Sequence, residues 1–254
     1  MIAIALQSGS QGNCIYVESD GEGILFDAGI SGIRAEERLA AYGRDIRQVK
    51  ALLISHDHAD HVKCAGIYQR KFGLPIHMTR KTHKAAAWQL GNVDDVRHFK
   101  PGEQVRIGRM TVESIPTPHD AAEGLAFVVT AKRKRLGILT DLGHLFDGLD
   151  GVLKSLDAVF LESNYDPDML ENGPYPRFLK ERIRSPHGHL SNIESADLVR
   201  RAASKRLQWV CLAHLSENNN TPTVARRTHR KLAGNGHALH TAKYRESSRL
   251  LEVV

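Results

Sequence analysis

Short apolar runs alternate with longer stretches of helical period along most of this chain, and many of the runs end in Gly or Asp. Residues 2–6, 14–17 and 23–26 read as strands and 32–42 as a helix. A four-residue apolar strand, 51–54, ends at Ser55. A helical pattern over 62–72 is stopped by Gly73-Leu74-Pro75, followed by a strand at 75–78 and a helix at 81–90. From 96 to 140 the texture is β, with strands at 104–106, 110–115, 125–131 and 135–140 separated by Pro and Gly. β/α alternation then resumes: strands at 158–161, 209–213 and 237–242, helices at 146–155, 176–184, 192–204 and 222–233. No short-period repeat, low-complexity tract or linker interrupts this. The pattern predicts one α/β domain over 1–254, with sheet layers flanked by helices.

Composition narrows the class only modestly. An apolar fraction of 41% is that of a globular protein with a core. No apolar run approaches the ~18–20 residues that span a bilayer, so no membrane partner is expected. The apolar start, residues 1–6, lacks a basic flank and runs into a Ser/Gly loop, so it reads as a first strand and not as a signal peptide. Three cysteines, Cys14, Cys64 and Cys211, have no paired spacing, which fits a reducing compartment and a cytoplasmic protein. The net charge is +6. Its distribution is more telling: Lys132-Arg133-Lys134-Arg135 sits between two strand-like runs as a hairpin tip. Further basic groups are Arg177, Lys180, Arg182 and Arg184; Arg200, Arg201, Lys205 and Arg206; and Arg226, Arg227, Arg230 and Lys231. Any one such group is ordinarily a solvated face; several together favour a polyanionic partner.

The chemistry concentrates in His56-Asp57-His58-Ala59-Asp60-His61. Three imidazoles and two carboxylates within six residues are costly to hold together without a cation among them. His56 and His58, two apart beyond a strand, point the same way in extended chain and can reach one ion. Asp60 and His61 begin a helix and diverge from that pair, which suits a second ion nearby. Asp57 is expected to hydrogen-bond, not to ligate. Histidines 77, 83, 98, 229, 237 and 240 lack such context and read as surface or core residues. His144 and His187 lie near the candidate site, and His189 is the strongest functional candidate outside the motif. Ser191 or Asn192 can cap the helix that follows, whose N-terminus would suit an anion such as phosphate.

The His-x-His-x-Asp-His pattern after a strand resembles the metallo-β-lactamase superfamily. That resemblance implies an αββα four-layer sandwich, two mixed β-sheets flanked by helices, with the metals at one edge. It also implies further ligands at strand ends downstream: His119 in Thr117-Pro118-His119-Asp120, Asp141 after Ile138-Leu139-Thr140, and His214 after Val210-Cys211-Leu212-Ala213. Metal one would then take His56, His58, His119 and Asp141, and metal two Asp60, His61, Asp141 and His214. With no ligand position missing, two divalent ions, Zn²⁺ or Mn²⁺, are expected. Asp27, in Leu25-Phe26-Asp27-Ala28-Gly29, would orient the histidine loop without ligating.

Four further strings, Ser8-Gly9-Ser10-Gln11-Gly12-Asn13-Cys14, Leu161-Glu162-Ser163-Asn164-Tyr165-Asp166, Gly188-His189-Leu190-Ser191-Asn192 and His214 to Pro222, are similar to the YycJ/WalJ family of bacterial metallo-hydrolases. That resemblance implies a 5′-to-3′ exonuclease acting on double-stranded DNA and linked to DNA repair. A metal-bridging hydroxide is the expected nucleophile. Asp60, Asp141 and His189 carry the expected chemistry, and His189, Asn192 and Asn218 are expected to face the substrate. No large insert separates Asp141 from His214, which argues against the RNA-processing β-CASP nucleases. The alternatives are another phosphodiesterase of this fold, acting on RNA or a small cyclic phosphodiester, or a thioester or lactone hydrolase. Oligomeric state is not legible.

Overall fold

The computed structural model describes residues 1–254. The first half of the chain contributes β1 (Ile2–Gln7), β2 (Cys14–Ser19), β3 (Glu22–Phe26), α1 (Gly32–Ala40) and β4 (Val49–Leu53). It continues with α2 (Ala59–Val62), α3 (Ala65–Phe72), β5 (Ile76–Met78), α4 (Arg80–Leu90) and β6 (Val96–His98). Then come β7 (Gln104–Ile107), β8 (Met110–Thr117), β9 (Gly124–Ala131), β10 (Lys134–Leu139), α5 (Leu149–Lys154), β11 (Ala158–Glu162), α6 (Pro167–Asn172) and α7 (Arg177–Arg184). The chain ends with α8 (Asn192–Ala202), β12 (Trp209–Ala213), α9 (Pro222–Ala233), β13 (Ala238–Thr241) and β14 (Leu251–Glu252).

Two seven-stranded sheets result, ordered β14-β1-β2-β3-β4-β5-β6 and β13-β12-β11-β10-β9-β8-β7. In each, an antiparallel half gives way to a parallel half: at β3–β4 in the first sheet and at β10–β11 in the second. The inward faces of both sheets share the largest apolar cluster, with Phe26 against Phe127 and Phe160 against Trp209. A second cluster lies between the first sheet and α1, α3 and α4; a third lies between the second sheet and α5, α8 and α9. This is the αββα sandwich. The alternation of strand residues between the central and outer layers explains why strands such as β1, β4 and β12 are apolar on both faces.

The elements differ from the sequence expectation mainly at breaks. The helix expected over 62–72 is two helices, α2 and α3, meeting at Cys64. The Cys64 amide bonds the Ala28 carbonyl, so the chain turns there to hold the loop after β3. The hairpin at Lys132–Arg133 is present, with Lys132 in the left-handed region (φ 55°) that the tight turn requires. α6 and β14 were not expected: α6 is a short helix opened by Asp166 and Pro167, and β14 pairs by register with β1 and not by any local pattern. No helix is long and apolar enough to cross a membrane.

Candidate metal centre

The carboxyl ends of β3, β4, β8, β10, β11 and β12 all reach one edge of the sandwich, and each delivers a polar residue there. Parallel strands end in a crevice where the outgoing loops part, which is where α/β folds place their sites. Asp27 follows β3, the His56–His61 run follows β4, His119 follows β8, Asp141 follows β10, Glu162 ends β11, and His214 follows β12.

Three of these residues, Asp27 (φ 63°), Asp141 (φ 57°) and His214 (φ 52°), are non-glycine residues in the left-handed region. Such conformations cost ~1–3 kcal/mol each and persist only where surroundings fix them. Here the surroundings are hydrogen bonds. Asp27 accepts from the Ser55 amide (2.8 Å), the Ser55 hydroxyl (3.0 Å) and His61 Nδ1 (2.8 Å). The His214 amide donates to Ser8 Oγ at 2.8 Å, and Asn164 Nδ2 donates to the His214 carbonyl at 2.8 Å. The Leu142 amide, next to Asp141, donates to Glu162 at 2.9 Å.

The side chains of the seven expected ligands converge. Four overlapping groups have ligand atoms that all lie within 4.8 Å of one another: His56, His58 and His119; His56, His61 and Asp141; Asp60, His61 and His214; and Asp141, Glu162, His189 and His214. Asp141 is common to two groups, with Oδ2 3.4 Å from His61 and Oδ1 3.4 Å from His214 and 3.7 Å from His119. His119 gives Nδ1–H to the Gly188 carbonyl at 2.9 Å, and His61 gives Nδ1–H to Asp27, so each turns Nε2 inward. His58 Nε2 bonds the Asp120 carbonyl at 3.1 Å, leaving Nδ1 as its free nitrogen.

Three buried polar atoms in this cluster have no hydrogen-bond partner: His56 Nε2, His119 Nε2 and Asp141 Oδ2. Native proteins rarely leave such atoms orphaned, because each forfeits its solvation for nothing. Imidazole nitrogens and carboxylate oxygens aimed at a common point are the donor set of a divalent first-row ion. The residues present therefore fit a divalent metal.

The electrostatics agree. Burial alone would raise the Asp141 carboxyl, but His214, His61, His56 and His119 outweigh it and hold the group ionised. Burial alone would lower His214, but Asp141, Asp60 and Glu162 outweigh it and push its pKa up to about 10. His61 is likewise raised, by Asp141, Asp60 and Asp27 against burial. His56 and His119 go the other way, held neutral chiefly by burial.

Glu162 was not singled out by sequence, although it closes the apolar run of β11. It is fully buried, and its Oε1 accepts from His189 Nδ1 at 2.7 Å. Burial would raise its pKa, but His189 more than compensates and brings it to about 2. A buried carboxylate on Nδ1 fixes the His189 tautomer and leaves Nε2 to the cleft. Asn13 was also missed as an individual residue: its Nδ2 lies 3.2 Å from Asp60 Oδ2 and 3.0 Å from His61 Nε2. The signal for both was present only as a charged or amide residue at the end or start of an otherwise apolar strand.

Other expected residues fall elsewhere. Asn192 has no exposed surface; it bonds Ser163 Oγ (2.6 Å) and Asn220 (3.0 Å) and does not line the cleft. Asn219 and Asn220 are buried as well. Asn218 is exposed but bonds Tyr175 Oη at 3.0 Å, so it reaches the cleft only through that tyrosine. The α8 N-terminus is closed to an anion, because Ser191 and Glu194 form a capping box that satisfies it internally. His144 and His187 bond the Pro186 and Pro118 carbonyls and tie the rim loops together. Asp57 accepts from the Ala122 amide at 2.8 Å. Several basic residues of the expected clusters are paired with acids on the chain: Arg177 with Glu181, Arg182 with Asp120, Arg184 with Glu171, Arg200 and Arg201 with Asp197, Arg206 with Asp157.

The cleft itself holds about 240 Å³ and is lined by His58, Asp60, Asp141, His189 and His214 on one side and by Tyr175, Leu179 and Ile183 on another. The profile described as "Metallo-beta-lactamase superfamily" matches residues 8–188. The chain is 36% identical to the exodeoxyribonuclease YycJ of Bacillus anthracis over 87% of its length and 84% of that protein's. It is 34% identical to the exodeoxyribonuclease WalJ of Streptococcus pneumoniae over 88% and 84%. Among solved structures, the metallo-beta-lactamase fold protein YhfI of Bacillus subtilis superposes with a TM-score of 0.77 at 16% identity, covering 99% of this chain and 100% of that one. With its sandwich fold and its edge of histidine and aspartate, the chain belongs to the metallo-beta-lactamase superfamily of hydrolases and, within it, to the family of YycJ and WalJ.

Proposed function

We propose that this protein is a dinuclear metal-dependent phosphodiesterase, a 5′-to-3′ exonuclease of double-stranded DNA. The observation that carries the hydrolytic part is the trio of orphaned buried atoms, His56 Nε2, His119 Nε2 and Asp141 Oδ2, inside a ring of seven ligand-type side chains. The DNA part of the reading is supported by the names of the two relatives, both exodeoxyribonucleases. His56, His58, His119 and Asp141 would hold one ion; Asp60, His61, Asp141 and His214 the other. Bound divalent ions supply acidified water as nucleophile and neutralise the charge that develops on a phosphodiester.

The chain's own residues do the rest. Asp27 and Ser55 fix the His61 ring, and Asn13 fixes Asp60, so the ligand geometry is set before substrate arrives. Glu162 holds His189 with Nε2 toward the cleft, where that nitrogen can bind the scissile phosphate or deliver a proton to the leaving 3′ oxygen.

The test is hydrolysis of 5′- and 3′-labelled duplex DNA, single-stranded DNA and RNA with added Mn²⁺ or Zn²⁺, with a thioester and a lactone as controls. Release of nucleotides from the 5′ end of duplex, lost in Asp141→Ala by more than the roughly 10–100-fold that removing an outer-shell partner of a metal ligand costs, supports the proposal. Rapid thioester turnover with inert nucleic acid refutes it.

A further inference from the structure

One wall of the cleft carries no metal-ligand chemistry. Leu179 and Ile183, four apart on α7, share one face of that helix, and together with Tyr175, two residues before it, they line the cleft. His58, Asp60, Asp141, His189 and His214 line the same cleft. An apolar patch and a metal-type cluster that share about 240 Å³ fit a ligand carrying both an anionic group and a flat apolar group. That volume lies below the ~300–1,000 Å³ of pockets for drug-sized ligands.

The tyrosine is prepared for this contact. Its hydroxyl, the only polar atom of the stripe's side chains, already accepts from Asn218 Nδ2 at 3.0 Å, which fixes the ring plane. Tyr165 and Leu170 pack behind, in one small buried cluster with Ile183 and with Tyr175 and Leu179 against it, so the wall is backed and not a loose flap. Arg182, on the same helix, stands at the rim with its guanidinium on Asp120.

We propose that this stripe is a nucleobase subsite. The terminal nucleotide leaves the duplex stack, its base lies against Tyr175, Leu179 and Ile183, and its phosphodiester reaches the histidine and aspartate cluster. This rests on the nuclease reading above. It fits degradation of a duplex with little sequence preference, because every base offers a π-face to such a wall. Ends that unpair easily, such as mismatched ones, should be cut faster, because less stacking is lost on entry.

The experiment compares duplexes whose 5′-terminal residue is either normal or abasic (a tetrahydrofuran spacer), cut by the wild-type protein, Tyr175→Ala and Tyr175→Phe with Mn²⁺. Removing the base is expected to lower wild-type kcat/KM about ten- to a hundredfold, the range for loss of a base–aromatic stack. Tyr175→Ala should lose a similar factor on normal DNA and little more on the abasic end, while Tyr175→Phe keeps the discrimination. Equal cutting of normal and abasic ends by the wild-type protein overturns the subsite while leaving the nuclease reading intact; that comparison needs no variant to fold. Full base discrimination persisting in Tyr175→Ala also overturns it. If the wild-type protein cuts neither duplex with Mn²⁺ or Zn²⁺, the nuclease reading falls and the subsite with it.

Discussion

At the scale of single residues, the cluster is a charge problem with two solutions. Without metal, His61 and His214 help hold the Asp141 carboxyl ionised, and the carboxylates in turn raise both imidazoles. Metal-loaded, the cluster needs both imidazoles neutral, since a ligating nitrogen must give up its proton. Both pKa values are raised, that of His214 to about 10, so metal binding at these nitrogens must displace protons. Titration with Mn²⁺ or Zn²⁺ at pH 7, in buffers of different ionisation enthalpy, is expected to release more than one proton per protein. Affinity should rise with pH up to about 10 and fall in acid. Proton-free binding at pH 7 would show that the ions go elsewhere. The sign for stability follows: the metal-free fold gains from these two raised pKa values below the unfolded histidine value near 6.5, and loses the His214 contribution as pH passes about 10. The motif histidines were legible from the chain because they are contiguous. Glu162, Asn13 and Ser55 were not, because their partners lie 27, 47 or 48, and 28 residues away and no local pattern marks that pairing.

At the scale of elements, the site depends on how closely two loops approach. The Asp60 carbonyl accepts from the Asn13 amide at 2.7 Å, and the His61 carbonyl accepts from the Ala28 amide at 2.7 Å. Gly29 lies between them: a Cβ there would sit 1.7 Å from the Asp60 carbonyl oxygen, a contact only backbone movement could relieve. Gly29→Ala is therefore expected to push α2 outward, displacing Asp60 and His61 while His56, His58 and His119 stay in place. Metal analysis should find about one ion fewer per chain, with a stability loss of roughly 1–3 kcal/mol in denaturant titration, as for other overpacked sites. Unchanged metal content would refute the coupling. The same principle explains which elements could be read in advance. β12 and α9 match the expected bounds because a dense apolar run and a Thr-Pro start mark them locally. The split between α2 and α3 escaped notice because its cause, the Ala28 carbonyl, comes from a loop more than thirty residues earlier. The likeness of the two sheets, each antiparallel then parallel, has no counterpart in sequence repetition, since hydrogen-bond direction leaves side-chain identity free.

At the scale of the whole molecule, the two sheets have little independence. Phe26, Leu53 and Val17 of one sheet and Phe127, Phe160 and Trp209 of the other belong to one buried cluster, so neither inner face can lose its partner without exposing that layer. The ligands repeat this division: the His56–His61 run extends from the first sheet, and His119, Asp141 and His214 extend from the second. A metal that binds both sets binds only the assembled sandwich. We infer that residues 1–254 unfold as one cooperative unit whose stability tracks metal concentration. Free ion at a hundred times its dissociation constant adds about 2.7 kcal/mol, and for a chain of this size each kcal/mol moves Tm by about 2–4 °C. Heating with saturating Mn²⁺ or Zn²⁺ should therefore give a single transition roughly 5–10 °C above that in chelator. Two transitions, only one of them metal-sensitive, would mean that the sheets fold separately and that the ligands lie within one of them. A single transition indifferent to metal would mean that the orphaned atoms at the edge have some other partner.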